Sequence, residues 1–454
     1  MKKSSTAYVC QECGYESPEW LGKCPECGMW NSLREFKIPA SAKTSAGKQI
    51  SSVSQKPRKL GEIGSHSVNR LSTGFSEMDG VLGGGIVAGS VILLAGDPGV
   101  GKSTLLLQIA LNLSLSKVRS SLNSSVLYIS GEESGEQIKL RTSRIYKNHK
   151  DIENVYILSA TNTDLVQEAI EEYKPGLVIV DSIQTMESEN AGGLSGSISQ
   201  IRYCASLFIK IAKTQNIPII IVGHVTKEGM VAGPMVLSHM VDTILFLEGE
   251  KSSSIRILRS FKNRFGPVDE VGIFSMEAGG IVQSNSIEQL FLTKNLPKNV
   301  TGSIISVAME GSRAFLVEIQ GLVVSSKIPI PRRVSSGIDY KRLELILAVL
   351  QKHCNIPLSG MDVFVNVAGG LKISDTAVDL GICLAIFSSF KNISLSTTVA
   401  VSEVGLLGEL RPVQFLDRRI KEAKKLGFKN VISHNTYRTL SEVIRSLGKG
   451  GNYG

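Results

Sequence analysis

The sequence has no apolar run of the roughly eighteen residues that a membrane-spanning helix needs. Its amino terminus, MKKSSTAYVC, reaches a cysteine without passing through an apolar signal region. Both absences argue against membrane insertion and secretion, and predict a soluble cytoplasmic protein. Cysteine is scarce outside one cluster: of seven, Cys10, Cys13, Cys24 and Cys27 stand together, while Cys204, Cys354 and Cys383 are scattered. A disulfide framework is therefore not expected, and the scattered three read as buried small hydrophobes or inert thiols. No internal repeat of about 20 to 50 residues is present, which argues against a solenoid.

What is present points to folded domains. A chain of 454 residues is too long for one hydrophobic core, and 42% apolar residues with a mixed charged surface exclude global disorder. The net charge of +9 is concentrated: Lys37, Lys43, Lys48, Lys56, Arg58, Lys59 and Arg70 face only Glu62 across that stretch. Residues 38–68, rich in Ser, Lys, Gln and Ala without periodicity, read as a basic flexible linker. It either attracts polyanions through counterion release or is simply solvated.

Ahead of the linker, residues 1–37 hold two Cys-x2-Cys pairs, Cys10/Cys13 and Cys24/Cys27, with Gly14 and Gly28 following the second cysteine of each. Each pair turns tightly enough to aim two thiolates at one cation, and four thiolates close a tetrahedral structural zinc site with no open position. Tyr8, Trp20 and Trp30 are expected to form the small core of this module, although aromatic residues can also stack on nucleic-acid bases.

Beyond residue 69, apolar runs at 91–95, 126–130, 177–180, 217–222 and 244–248 alternate with helix-length segments. That alternation predicts an α/β fold with a parallel sheet covered by helices. The first run is followed by Gly96, Asp97, Pro98, Gly99, Val100, Gly101, Lys102, Ser103 and Thr104, then by a helix-compatible stretch. Strand, glycine loop and helix in that order form a phosphate cradle: backbone amides turn inward, Lys102 reaches the β- and γ-phosphates, and Ser103 ligates Mg²⁺. The run at 177–180 ends in Asp181, the expected second Mg²⁺ partner. The run at 126–130 ends in Gly131, Glu132 and Glu133, either carboxylate of which can serve as general base for water. A strand at 217–222 leads to His224, a candidate γ-phosphate sensor, and to a glycine-flanked segment containing Lys227.

A composition shift at 283–300 opens a second, α+β domain, with a run beginning at Gly302, a short strand at 315–319, a helix at 339–353, a strand at 363–367 and a basic helix at 418–426.

Taken together, Leu71 to Gly74, Asp79, Leu82 to Gly85, the phosphate loop, Gly131 to Glu133 and Val178 to Asp181 resemble a RecA-type ATPase core. More narrowly, the KNRFG stretch at 262–266 resembles the marker of the bacterial RadA (Sms) family of DNA repair proteins, a similarity that covers essentially the whole chain. The resemblance implies a zinc ribbon (1–37), the linker (38–68), a RecA-like ATPase domain (69–285) and a Lon-protease-like domain (286–454). It further implies an ATP- and Mg²⁺-dependent homo-hexameric motor on single-stranded or branched DNA, driving branch migration during repair, with recombinase and replication proteins as partners. In such a ring, Lys262 and Arg264 reach the γ-phosphate held by the neighbouring subunit.

A Lon-like domain raises a rival expectation, ATP-dependent proteolysis by a Ser–Lys dyad. Here Ala377 or Val378 stands where the serine belongs and Asp417 lies near the lysine position, and Ser374 lacks a lysine to activate it. No peptidase activity is expected. The domain reads instead as an assembly and DNA-binding platform, with Arg332, Arg333, Lys341, Arg342, Arg418, Arg419 and Lys421 as basic candidates. A third expectation is a RecA-like nucleotide-gated scaffold that hydrolyses ATP slowly and without regard to DNA.

Overall fold

The structure, a computed structural model, describes residues 6–10, 16–25, 28–37, 59, 70–115, 125–146, 152, 154–224, 234–249, 254–283, 300–370, 372–395 and 397–449. The linker at 38–68, apart from Lys59, lies outside them, as do Cys13, Cys27 and the segment 225–233 with Lys227. The chain divides into two compact units, with the main changeover after Gln283.

At the amino end, Thr6–Cys10 lies between Glu16–Ser17 and Leu33–Lys37 in an antiparallel three-stranded ribbon. Its buried cluster is Cys10, Cys24 and Leu33, with Tyr8 and Leu21 packed against it. The expectation that the tryptophans form this core is corrected: Trp20 is 55% exposed and Trp30 71%. The cysteine-centred cluster occupies the interior, and Lys23 sits over the outward-facing Trp30 ring instead.

The first unit holds a nine-stranded sheet, in the order Gly280–Gln283, Val271–Glu277, Ile255–Asn263, Thr243–Glu248, Val91–Gly96, Ile219–His224, Leu177–Asp181, Val126–Ser130, Val155–Ser159. The last six strands in that order run parallel. Val91–Gly96 and Leu177–Asp181 are buried along their whole length, because helices cover both faces of a parallel sheet and alternation is lost. The two-residue period survives in which core each side chain joins. Ile92 and Leu94 pack with helix Lys102–Leu115, whereas Val91 and Leu93 pack with helix Ile198–Gln215.

Five parallel strands fall on the apolar runs of the sequence. The edge strand Val155–Ser159 was not legible there, since half of it faces solvent. Nor were the three strands at the other end, beginning with Ile255–Asn263, which pairs antiparallel with Thr243–Glu248 and mixes apolar residues with Arg256, Arg259 and Lys262.

The second unit is α+β. Its six-stranded sheet runs Arg333–Ser336, Met361–Val367, Arg313–Ser325, Ser303–Glu310, Thr398–Val401, Asn430–Ser433. The short strand expected at 315–319 is the buried half of Arg313–Ser325, whose second half is largely exposed and therefore silent in hydropathy. At Gly321, where that strand meets helix Asp379–Lys391, a Cβ would press on the backbone of Ala385 and Ile386. The glycine permits this close approach of strand and helix.

Candidate nucleotide site

The phosphate-loop strand Val91–Gly96 has later strands on both sides, so its carboxyl end opens at a topological switch of the sheet, where α/β folds bind ligands. A Cβ at Gly96 (φ 153°) would collide with the carbonyl oxygen of Leu247, which makes glycine the residue that lets the chain leave the sheet here. Asp97, Pro98 and Gly99 are exposed and Val100 is buried beneath them. Helix Lys102–Leu115 then begins with no acidic residue in its first turn, so its amino-terminal amides and dipole are left for an anion.

Lys102 is only 4% exposed. Its Nζ donates to the carbonyls of Gly96 (2.7 Å) and Asp97 (3.0 Å), folding the ammonium over its own loop. Burial lowers its pKa, opposed by the negative charges of Asp181, Asp97 and Glu132. Those three carboxylates converge on the one cation. Ser103 and Thr104 follow at the first turn, both half-buried. The loop fits a phosphate chain: it offers helix amides, a desolvated ammonium with a further proton to donate, and neighbouring carboxylates able to hold a cation.

Asp181, at the tip of Leu177–Asp181, is buried, and Oδ2 accepts the Tyr128 hydroxyl at 2.6 Å. Burial, and then the adjacent Asp181 charge, push the Tyr128 phenol well above its ordinary pKa. The two candidate bases part company. Oε1 of Glu132 accepts the Ser182 hydroxyl at 2.8 Å and lies 3.5 Å from His224 Nε2, and its charge acts on Lys102. Glu133 turns away to pair with Arg141 on helix Gly135–Ile145. His224 is level with Gly96 across the sheet, with its buried Nδ1 lacking a partner among the described residues.

Lys262 and Arg264 are not brought to this site. Lys262 pairs with Ile244 in the sheet, whereas Gly96 pairs with Leu247 on that same strand, three residues further on. At about 3.3 Å per residue, that is a separation of about 10 Å along the sheet, toward the end opposite the phosphate loop. There Lys262 Nζ donates to the carbonyls of Ser238 (2.7 Å) and Val241 (2.8 Å). Arg264 lies 3.4 Å from Asp242, which also accepts from Lys213 (2.6 Å) and the amide of Val91 (3.0 Å).

Three residues of this region carry no signal in the sequence. Tyr128 looks like one more apolar strand position. Asp242 is a buried acid that ties Lys213, Arg264 and the phosphate-loop strand together. Arg256 is buried on an antiparallel strand, and its Nε donates to the Val100 carbonyl of the phosphate loop at 2.9 Å.

In the ribbon, Cys10 and Cys24 come from different knuckles and are buried side by side in one cluster. The second knuckle closes on hydrogen bonds from Gly28 N to Cys24 O and from Cys24 N to Met29 O, with Gly28 at φ 73°. A cluster this small gains little from apolar burial alone, and two buried thiols from separate knuckles are a donor set of the kind that zinc takes.

In the second unit, Asp375 forms a 2.6 Å ion pair with Arg419, which is 3% exposed. Arg342 pairs with buried Asp379. Arg419 and Arg342 thus serve the interior of this unit, which corrects the expectation that they belong to a basic surface. Ala377 is fully buried, Asp417 is exposed on helix Leu416–Lys425, and Ser374 is exposed.

Comparison with known proteins agrees with these parts. Residues 56–230 match the model of an AAA domain, and residues 8–35 that of a rubredoxin metal binding domain. The chain is 45% identical over 436 residues to the DNA repair protein RadA of Bacillus subtilis, covering 95% of this chain and 93% of that one. The Streptococcus pyogenes serotype M6 protein of the same name is 45% identical over 433 residues, with the same coverage. That of Listeria monocytogenes is 44% identical over 430 residues, covering 94% and 92%. With a phosphate loop at the switch point of a RecA-like sheet, a cysteine ribbon ahead of it and this similarity over nearly its whole length, the chain belongs to the RadA family of DNA repair proteins and carries its ATPase domain.

Proposed function

We propose that the protein is a DNA-stimulated ATPase working as a homo-hexameric motor on single-stranded or branched DNA, driving branch migration of recombination intermediates during repair. The observation that carries this reading is the separation of Lys262 and Arg264 from the chain's own phosphate loop. Two cations held at the far end of the sheet cannot serve the site of their own subunit, but can reach a γ-phosphate held by a neighbour. A cation supplied in this way couples hydrolysis to subunit movement.

ATP would lie on the amides of residues 96–104, with Lys102 exchanging its loop carbonyls for phosphate oxygens. Ser103 and Asp181 would hold Mg²⁺, which neutralises phosphate charge when bound. Glu132, held by Ser182, is the general base, while Glu133 braces the following helix through Arg141. His224, 3.5 Å from Glu132, would respond to the γ-phosphate and pass the state of the site to the segment that follows it.

Cys10, Cys13, Cys24 and Cys27 would hold a structural zinc. The second unit acts as an assembly and DNA-binding platform through Arg332, Arg333, Lys341, Arg418 and Lys421, without peptidase activity. Among the described residues no helix is long and apolar enough to cross a membrane, in keeping with a cytoplasmic motor that meets recombinase and replication proteins. The deciding experiment is the ATPase rate with and without single-stranded DNA across a salt series. Stimulation that fades with salt supports the motor. A flat response would leave a nucleotide-gated scaffold.

A further inference from the structure

We infer that Tyr128 is a positioning residue that fixes the orientation of Asp181 and so sets the affinity of the site for a divalent cation. This rests on the reading of Asp181 as the metal-holding carboxylate. In the parallel pairing of Val126–Ser130 with Leu177–Asp181, Ser130 lies opposite Asp181, while Tyr128 lies opposite Ile179. Tyr128 therefore meets Asp181 diagonally, a distance of about 7–8 Å between backbone positions that only a long side chain can bridge. A serine or threonine would fall short, and phenylalanine would arrive with nothing to donate.

The ring is 1% exposed and belongs to the same core cluster as Leu105, Leu106 and Ile179, so the hydroxyl has one place to point. It donates to Oδ2 at 2.6 Å, and among the described residues no other side chain hydrogen-bonds to Asp181. An ionised carboxylate is an acceptor only. Engaging one oxygen with a rigid donor stops rotation of the carboxylate and leaves the other oxygen for a cation. Asp181 has no such brace from its own strand, where Leu177, Val178, Ile179 and Val180 are all apolar.

The test is Tyr128→Phe, which deletes a single oxygen. Affinity for a fluorescent ATP analogue is measured in the full-length protein across a MgCl2 series and in EDTA, with thermal melting as a check of folding. The Mg²⁺ midpoint should rise about tenfold or more, as when an outer partner of a metal ligand is lost. Binding in EDTA should not change, and Tyr128→Phe should add nothing in an Asp181→Asn background. An unmoved midpoint in a folded variant overturns the inference, as does an equal loss in EDTA, which would mark a general disturbance of the cleft. If Asp181→Asn alone leaves the midpoint in place, the metal role of Asp181 falls and this inference with it. If Asp181→Asn shifts the midpoint and Tyr128→Phe does not, only the role of Tyr128 falls.

Discussion

The hydroxyl of Ser182 donates to Oε1 of Glu132 at 2.8 Å, joining the residue after Asp181 to the second of the three residues that follow the neighbouring strand. This bond, with the Arg141 pairing of Glu133, makes two adjacent carboxylates inequivalent. Glu132→Gln should lower kcat at least about a hundredfold while ATP still binds, the usual scale for a lost general base. Glu133→Gln should cost far less in rate. Single-turnover hydrolysis with each variant checks this, and equal losses would sink the assignment to Glu132.

Arg264→Ala and Lys102→Ala should each abolish DNA-stimulated ATPase, by about a thousandfold for a cation acting in trans. Mixed together, the two variants should regain turnover. Wherever an Arg264→Ala subunit contributes its intact loop beside a Lys102→Ala neighbour with an intact Arg264, one site is whole. Mixed assemblies with no more activity than either variant alone would mean that Arg264 serves its own subunit.

Lys102 holds a charge in a buried place, and its depressed pKa gives the sign of a pH effect. The folded state binds this proton more weakly than the unfolded chain does. The cost is therefore complete at low pH, and fades as pH rises through the lowered folded-state pKa toward the unfolded value. Lys102→Met should raise nucleotide-free stability on the order of 1 kcal/mol near neutrality, with the gap closing in alkali. Urea melts at several pH values measure it, and a gap that widens with pH would contradict the sign.

Metal removal should unfold the ribbon and spare the ATPase sheet, because zinc supplies roughly 10–16 kcal/mol to modules of this kind. Since Trp20 and Trp30 already face solvent, tryptophan emission should shift little. Limited proteolysis within residues 6–37, together with zinc released into a chelating dye, gives the readout. Cys10→Ser should do the same without a chelator.

Arg419→Ala should destabilise the second unit by about 3 kcal/mol, because Asp375 loses its partner in a largely buried setting. Casein should remain intact in the parent protein under conditions of active ATP hydrolysis. Degradation that disappears in Ser374→Ala would restore the protease reading.

The sequence by itself determined what depends on contiguous residues. The phosphate loop needs its glycines, lysine and serine in unbroken order, the knuckles need cysteines with two residues between them, and buried parallel strands need short apolar runs. Each was legible because the partner is a neighbour in the chain. The tertiary structure alone decided what depends on meetings across long stretches of chain. Tyr128 finds Asp181 across 53 positions, Arg256 finds Val100 across 156, and Asp242 finds Val91 across 151. The same holds for which glutamate meets Ser182 and His224, for the outward turn of both tryptophans, and for the placing of Lys262 and Arg264 at the opposite end of the sheet. No local pattern encodes these, since strand order and register set which side chains meet, and neither is written in any one segment.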